Sequence, residues 1–95
     1  LKDAGNVYQV LPDHIQYLES LGNYVKVITT TDTIIVKSGL QEFLDQYHID
    51  GLCRIHKSFA VHLKYITKMN HATVWIGQQE LPIGRKYKEQ IRRYF

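Results

Sequence analysis

The sequence is short of cysteine and lacks any long apolar run. Its one cysteine, Cys53, cannot form a disulfide within the chain, and a lone thiol favours a reducing, cytoplasmic compartment. No apolar run approaches the roughly 18 residues of a membrane-spanning helix, so no membrane partner is expected. Residues 1–6 have no apolar core of the kind that marks a signal peptide. Because the chain opens at Leu1 and not at Met, we expect a fragment of a longer protein.

The chain does have enough apolar residues for one folded domain. Hydrophobic residues make up 44% of its 95 residues and aromatic residues 12%, which excludes a disordered chain. A chain of this length can bury one core. No linker or repeat divides the sequence, so we expect a single domain over residues 1–95.

Charge is distributed unevenly between the two halves of the sequence. Residues 1–50 carry three Lys or Arg against seven Asp or Glu, a net charge of −4. Residues 51–95 carry nine against two, a net charge of +7. This polarity indicates an acidic partner for the second half. The alternative is a fold that intermixes the halves and dilutes the polarity.

Alternating and β-branched apolar residues predict that most of the chain forms strands. The predicted strands cover residues 7–11, 15–19, 24–30, 33–37, 52–55, 59–63, 65–69, 73–76 and 80–83. Turn residues such as Asp32, Asn70 and Gly77 separate successive segments and predict hairpins.

One internal segment has helical periodicity instead. Its apolar residues, at i, i+3, i+4 and i+7, are Leu40, Phe43, Leu44 and Tyr47. This stripe predicts an amphipathic helix that ends near His48. Ser38, with Gln41 three residues later, resembles a capping box at its start.

The C-terminal segment is predicted to form a short helix over residues 86–95. Tyr87, Ile91 and Tyr94 recur at helical spacing and are expected to pack on the strands. The order of strands, one helix, more strands and a final helix predicts a mostly β domain of the α+β class.

Two short segments concentrate basic and polar residues. The segment RIHKSFAVH at 54–62 places two cations, two imidazoles and a hydroxyl between apolar residues. The segment LPIGRKYK at 81–88 adds three more cations. We expect them to form two loops of one basic surface, which is how a binding module grips a phosphate backbone.

Taken in order, these segments resemble the LytTR family of DNA-binding domains. The resemblance rests on IQYLE at 15–19, GNYV at 22–25, the helix at 40–44, RIHKSFAV at 54–61, Ile66, and LPIGRKY at 81–87. Each motif alone is weak, but their shared order over residues 7–95 is specific.

The resemblance implies an elongated fold of small antiparallel sheets with one central helix and a short C-terminal helix. It implies that loops, and not a recognition helix, enter two successive major grooves of double-stranded DNA. Members of the family are usually C-terminal output domains of bacterial two-component response regulators. An N-terminal receiver domain, an upstream sensor kinase and a second copy on paired half-sites are therefore expected partners.

Two positions depart from the family pattern. The family commonly has Asn where this chain has His62, and Ser where it has Gly84. Both are expected in the contact region, so the base preference of the family is not carried over.

Ten residues are expected to contact DNA. Four cations suit neutralisation of phosphates, namely Lys57, Arg85, Lys86 and Lys88. Arg85 and Asn23 are suited to reading base edges, because a guanidinium or an amide matches the hydrogen-bonding pattern of a base. The expected set is Asn23, Tyr24, Lys26, His56, Lys57, Ser58, His62, Arg85, Lys86 and Lys88.

Simpler interpretations remain open for several of these residues. Asn23 follows Gly22 and suits a turn. Tyr24, at a strand end, could belong to the core. For His56 we favour a histidine that orients its neighbours through a hydrogen bond.

Catalytic and metal sites are not expected. Cys53, His56 and His62 offer only three ligands, whereas a structural zinc site takes four. Ser58 lies near His56 in sequence, but no neighbouring acid would orient the imidazole, and no glycine-rich turn would stabilise an oxyanion. We therefore expect neither an enzyme nor a bound cofactor.

The sequence therefore predicts a sequence-specific DNA-binding domain that regulates transcription. The alternative of another class is a protein-interaction module whose basic face binds an acidic partner. RNA binding is disfavoured, because no exposed aromatic pair on adjacent strands offers a stacking platform.

Overall fold

The computed structural model describes residues 1–94 and contains mainly antiparallel strands. The strands are β1 (Lys2–Asp3), β2 (Asn6–Val7), β3 (Ile15–Leu21), β4 (Tyr24–Thr29), β5 (Thr33–Lys37), β6 (Leu52–His56), β7 (Phe59–His62), β8 (Lys68–Met69), β9 (Thr73–Ile76) and β10 (Gln79–Pro82). The helices are α1 (Leu40–Tyr47) and α2 (Lys88–Arg92), with 3-10 turns at Pro12–His14, Leu63–Tyr65 and Arg85–Tyr87. The molecule measures 40 × 23 × 21 Å, so the expected elongated, mostly β architecture is confirmed.

The central sheet has five strands in the order β5-β4-β3-β7-β6, and antiparallel pairing gives it two distinct ends. The register pairs Tyr24 with Leu21 on one side and with Lys37 on the other, while Phe59 pairs with His56. The β3–β4 and β6–β7 turns therefore lie at the same end of the sheet, together with the end of β5. We call residues 20–24, 37–39 and 56–59 the loop end, and residues 13–15, 29–33, 50–52 and 62–65 the far end.

Both faces of the central sheet are covered, and each face has its own core. Successive residues of a strand point to opposite faces. Leu18 and Ala60, both fully buried, pack in a cluster with Phe43 of α1. The next residue, Val61, lies in a second cluster that includes Val74 of the small sheet β10-β9-β8. The sheet is thus held between α1 on one face and the small sheet with α2 on the other.

The N-terminal cap of helix α1 lies one residue later than predicted, at Gly39 and not at Ser38. Ser38 stays with the strands because its N–H donates to the Asn23 carbonyl at 3.1 Å. Gly39 takes the capping position, and its N–H donates to Oε1 of Glu42 at 3.0 Å. The predicted end of the helix is confirmed, since His48 adopts the left-handed conformation that terminates it.

The apolar stripe of α1 is narrower than its spacing predicts. Leu40 and Phe43 are buried, whereas Leu44 is half-buried and Tyr47 is exposed. The N-terminal part of the helix therefore does most of the packing against the sheet.

Two predicted strands are shorter in the structure. Of residues 7–11, only Val7 lies in a strand, because β2 pairs with the two-residue β1 and the chain then leaves the ladder. Of residues 65–69, only Lys68 and Met69 pair with β9. The preceding residues form the 3-10 turn Leu63–Tyr65, in which the Tyr65 hydroxyl donates to the Asp13 carbonyl and draws the chain out of the sheet.

The C-terminal helix is shorter than predicted and begins with a 3-10 turn. Ile91 is buried in the second core and Tyr87 is half-buried, as the helical spacing predicts. Tyr94 is 58% exposed, so it is not buried against the strands as predicted. The predicted position of Phe95 in this helix lies outside the described residues.

Candidate nucleic-acid interface

Three loops meet at the loop end of the central sheet. They are the β3–β4 turn, the β6–β7 turn and the segment 84–88 that follows β10. The Ser20 N–H donates to the Ser58 carbonyl at 2.8 Å and joins the first loop to the second. The Gly84 N–H donates to the Ile55 carbonyl at 2.7 Å and joins the third to the edge of β6. Backbone bonds thus fix the relative positions of the loops.

The first loop presents an amide and a phenol. Gly22, with φ of +60°, makes the turn, and the Asn23 side chain is exposed beyond it. Tyr24 is 45% exposed, so it does not belong to the core. Lys26 lies two residues further along β4, half-buried and paired in register with Glu19. Asn23 and Tyr24 are therefore the accessible groups of this loop.

The second loop is organised by His56. Its Nδ1 accepts the Ser58 N–H at 3.0 Å, and its ring lies 5.7 Å from the Phe59 ring. Since Nδ1 accepts a hydrogen bond, any proton on the neutral ring is at Nε2. This contact matches the favoured interpretation of His56 as an orienting residue. Lys57, at the tip, is exposed.

The third loop packs closely on the second at Gly84. A Cβ at this position would lie 3.4 Å from the Cα of His56 and 3.2 Å from Cδ2 of Tyr87. The missing side chain thus permits close approach between two parts of the protein. Arg85 and Lys86 are exposed beyond this contact, and Lys88 is half-buried.

The exposed cations of these loops have no acidic partner in the described part of the chain. Within residues 1–94, the ion pairs within 4.0 Å are Lys64 with Asp13 and Arg92 with Glu89. The side chains of Lys57, Arg85 and Lys86 accordingly retain their charge uncompensated. Such groups can bind phosphate oxygens without first breaking an internal contact.

His62 does not join the other predicted site residues. It lies at the far end, 5% exposed, with both ring nitrogens buried and without a hydrogen-bond partner among the described residues. The ring meets the edge of Tyr65 at 5.7 Å, and a Cβ on Gly51 would lie 2.9 Å from its Cε1. Burial, assisted by the charge of Lys64 and opposed by Asp13, lowers the pKa of His62.

Arg54 is the first residue of the basic segment at 54–62, but the sequence predicts no role for it. In the structure its guanidinium contacts Gln41 of helix α1, the β6–β7 turn, and the ring of Tyr87 in the segment 84–88. The available signal in the sequence was its position between the apolar residues Cys53 and Ile55 in a predicted strand, because a cation within a packed strand needs internal partners.

The remaining chemistry-bearing residues form no second site in the described chain. No three His, Cys, Asp or Glu side chains of residues 1–94 cluster in a way that could hold a metal ion. Cys53 is half-buried, and burial raises the pKa of its thiol. None of the helices in residues 1–94 has the length and apolar character needed to span a bilayer.

Comparisons with known proteins agree with this geometry. The sequence model of the LytTr DNA-binding domain family matches residues 5–95. The fold is similar to a solved structure from Bacillus cereus, the LytTr DNA-binding domain of a protein described as a methyl-accepting/DNA response regulator. That similarity has a TM-score of 0.81 and 25% identity, and covers 98% of this chain and 91% of the other. No curated protein matches the sequence. Because the family match spans nearly the whole chain, this protein belongs to the LytTR family of DNA-binding domains.

Proposed function

We propose that this domain binds a specific sequence of double-stranded DNA and regulates transcription as the output domain of a two-component response regulator. One observation carries the proposal: three loops converge at one end of the central sheet, and their exposed cations have no acidic partner within residues 1–94. The similar domain from Bacillus cereus belongs to a protein described as a response regulator, which supports the regulatory context.

Binding has two components: contacts to phosphates position the domain on the duplex, and contacts to base edges recognise the DNA sequence. Lys57 and Lys86 neutralise phosphates and set the register of the domain on the duplex. Arg85 offers a planar fork of donors that fits O6 and N7 of guanine. The exposed Asn23 amide can bond adenine in the same way. We assign supporting contacts to Tyr24, Lys26, His56, Ser58 and Lys88.

The proposed partners follow from the same role. A receiver domain precedes this domain in the full protein, which is cytoplasmic, and an upstream sensor kinase phosphorylates that receiver. Two copies bind paired half-sites, since linking two binding events raises the effective concentration of the second.

Selection from random DNA tests the proposal. We expect a defined motif to be enriched, and the bound site to be protected from cleavage in the presence of excess competitor DNA. Lys57→Ala and Lys86→Ala should each lower the slope of log K against log salt concentration by about 1. A basic surface that binds an acidic protein would also respond to salt, but it would enrich no motif. Absence of any protected site would refute the proposal.

A further inference from the structure

Arg54 differs from the other cations near the loop end, because each of its three side-chain nitrogens already donates to a protein oxygen. Nε donates to the His56 carbonyl at 3.2 Å, and Nη2 donates to the Lys57 carbonyl at 2.6 Å. Nη1 donates to the side-chain oxygen of Gln41 at 2.9 Å. The side chain of Arg85, by contrast, makes no hydrogen bond or ion pair within residues 1–94. Charged donors form the stronger class of hydrogen bond, so Arg54 firmly constrains what it touches.

The two carbonyls that Arg54 holds flank Lys57. The His56 carbonyl belongs to the peptide unit before Lys57, and the Lys57 carbonyl belongs to the unit after it. Because each peptide unit is planar, fixing both units fixes the backbone dihedrals of Lys57. The second unit is also held on its other side, since the Ser58 N–H donates to the His56 ring. The direction in which the Lys57 side chain leaves the backbone is therefore set.

The same guanidinium connects this loop to the rest of the interface. Its central carbon lies 5.7 Å from the centre of the Tyr87 ring, at cation–π distance. Tyr87 closes the third loop, because its N–H donates to the Gly84 carbonyl at 2.9 Å. Gln41, which accepts from Arg54, is held in turn by a 2.9 Å bond from its side-chain nitrogen to Asp45 on α1. One side chain thus joins both basic loops to the helix.

We propose that Arg54 is a positioning residue of the DNA interface, which aligns Lys57 with the third loop and does not itself contact DNA. This inference rests on the proposed function. If Arg54 contacted a phosphate directly, Lys would keep the charge and with it the contribution of that contact to the salt slope. Holding two carbonyls and an amide at once needs the planar fork of a guanidinium, which Lys cannot reproduce. Arg54→Lys therefore separates the two roles.

The DNA experiment compares the parent, Arg54→Lys, Lys57→Ala and the double variant on the selected duplex. Losing the fork should lower the affinity of Arg54→Lys about tenfold, the weight of one or two hydrogen bonds. Its salt slope should fall by about 1 although its net charge is unchanged, because Lys57 no longer meets its phosphate. The double variant should bind no more weakly than Lys57→Ala, since the two changes remove the same contact. An unchanged slope with additive losses would overturn the positioning role.

A measurement without DNA separates this inference from the proposed function. Hydrogen exchange of the Ser58 amide should accelerate in Arg54→Lys, because the peptide unit it belongs to is released. The amide of Thr73, bonded to Asn70 at 2.8 Å in another turn, is the internal reference. Arg92→Lys is the matched control, because Arg92 is exposed and only 3.8 Å from Glu89. Unchanged Ser58 exchange in Arg54→Lys would overturn the positioning role.

Two further outcomes keep the test decisive. If the parent selects no DNA site while Ser58 exchange accelerates in Arg54→Lys, the proposed function fails, and with it the role of Arg54 at a DNA interface. If Arg54→Lys does not fold, Gln41→Ala removes one anchor of the guanidinium without altering the loop. It should then accelerate Ser58 exchange to a smaller extent, and no acceleration would count against the inference.

Discussion

The two ends of the central sheet differ in how their charged and hydroxyl groups are paired, although His62 at the far end has no hydrogen-bond partner within residues 1–94. At the far end, the Thr29 hydroxyl accepts the Asp32 N–H at 2.8 Å, Lys64 lies 3.8 Å from Asp13, and the Tyr65 hydroxyl bonds the Asp13 carbonyl. At the loop end, the exposed cations have no such partners among the residues that the structure describes. We call the far end the closed end, because its charged and hydroxyl groups bond within the protein. We call the loop end the open end, because its exposed cations can bind a negatively charged ligand.

The charge difference between the two halves of the sequence corresponds to a charge difference between the two ends of the sheet. Both halves of the chain contribute strands to the central sheet, so the halves are intermixed in space. The charges nevertheless separate along the strands, because Asp13, Asp32 and Asp50 lie in or beside the far-end connections. The cations Lys57 and Arg85 lie in the loops at the opposite end. A polarity read from the sequence halves is therefore better understood as a polarity between sheet ends.

Neutralising the open end should have the largest effect. The triple variant Lys57→Ala, Arg85→Ala, Lys86→Ala should bind every DNA sequence more weakly and lower the salt slope by about 2, one for each phosphate contact assigned to Lys57 and Lys86. Titration of a fixed duplex at several salt concentrations measures this. The thermal melting temperature should stay near that of the parent, because none of the three side chains contacts the protein core.

The matched control removes cations elsewhere. Lys64 lies at the far end and Lys68 on the small sheet, where its ammonium is 4.1 Å from the centre of the Trp75 ring. Lys64→Ala with Lys68→Ala should leave the salt slope within error of the parent. An equal loss of slope in this control would mean that general charge, and not the loop end, drives binding.

At the open end, the Arg85→Lys variant should distinguish recognition of base edges from contact with phosphates. Arg85→Lys keeps the charge but loses the two parallel donors that match guanine, so it should lose roughly 1–3 kcal/mol of preference for the selected site. Binding to unrelated sequences should change little. Competition between selected and scrambled duplexes measures the difference. Equal preference in the variant and the parent would assign Arg85 to the phosphate backbone and leave base reading to Asn23.

The closed end should show the converse, a loss of stability without a loss of binding. Thr29→Val is close to isosteric and removes the hydroxyl that accepts the backbone N–H groups of Thr31 and Asp32. Because water can reach this turn, the expected cost is only about 1 kcal/mol of unfolding free energy. Urea unfolding measures the cost, and DNA titration serves as the second readout. A tenfold loss of DNA affinity in this variant would contradict the independence of the two ends.

The sequence predicted the elements whose signal is local, and missed features that depend on tertiary contacts. The hairpins around Asp32 and Gly77 were predictable, because turn residues and alternation sit side by side in the chain. The shortened strand after Val7 was not, because its length depends on pairing with a two-residue partner. The internal contacts of Arg54 were missed for the same reason, since they join α1, two loops and a distant tyrosine ring.

His62 illustrates the limit of a motif for locating a site. Its motif neighbours His56 and Lys57 lie at the loop end, but β7 carries the chain the length of the sheet before His62. The position departs from the family pattern, yet the structure buries it at the far end. Linear proximity within a strand therefore gave no guide to which end a residue would reach.

Acidification should produce the smallest effect, and it should come from the closed end. The pKa of His62 in the folded chain lies below its ordinary value of 6.5, so above that value both states hold a neutral ring and the group contributes nothing. As the pH falls below about 6.5, the unfolded chain takes up the proton first, and the folded state loses stability until the pH passes the lowered pKa. Lys64, whose charge also disfavours a cationic ring, opposes protonation, while Asp13 favours it. Melting temperatures at pH 7.5 and 5.5 should therefore differ more in the parent than in His62→Asn, with the exposed His71→Asn as control. An identical pH dependence in all three proteins would show that His62 does not couple folding to protonation.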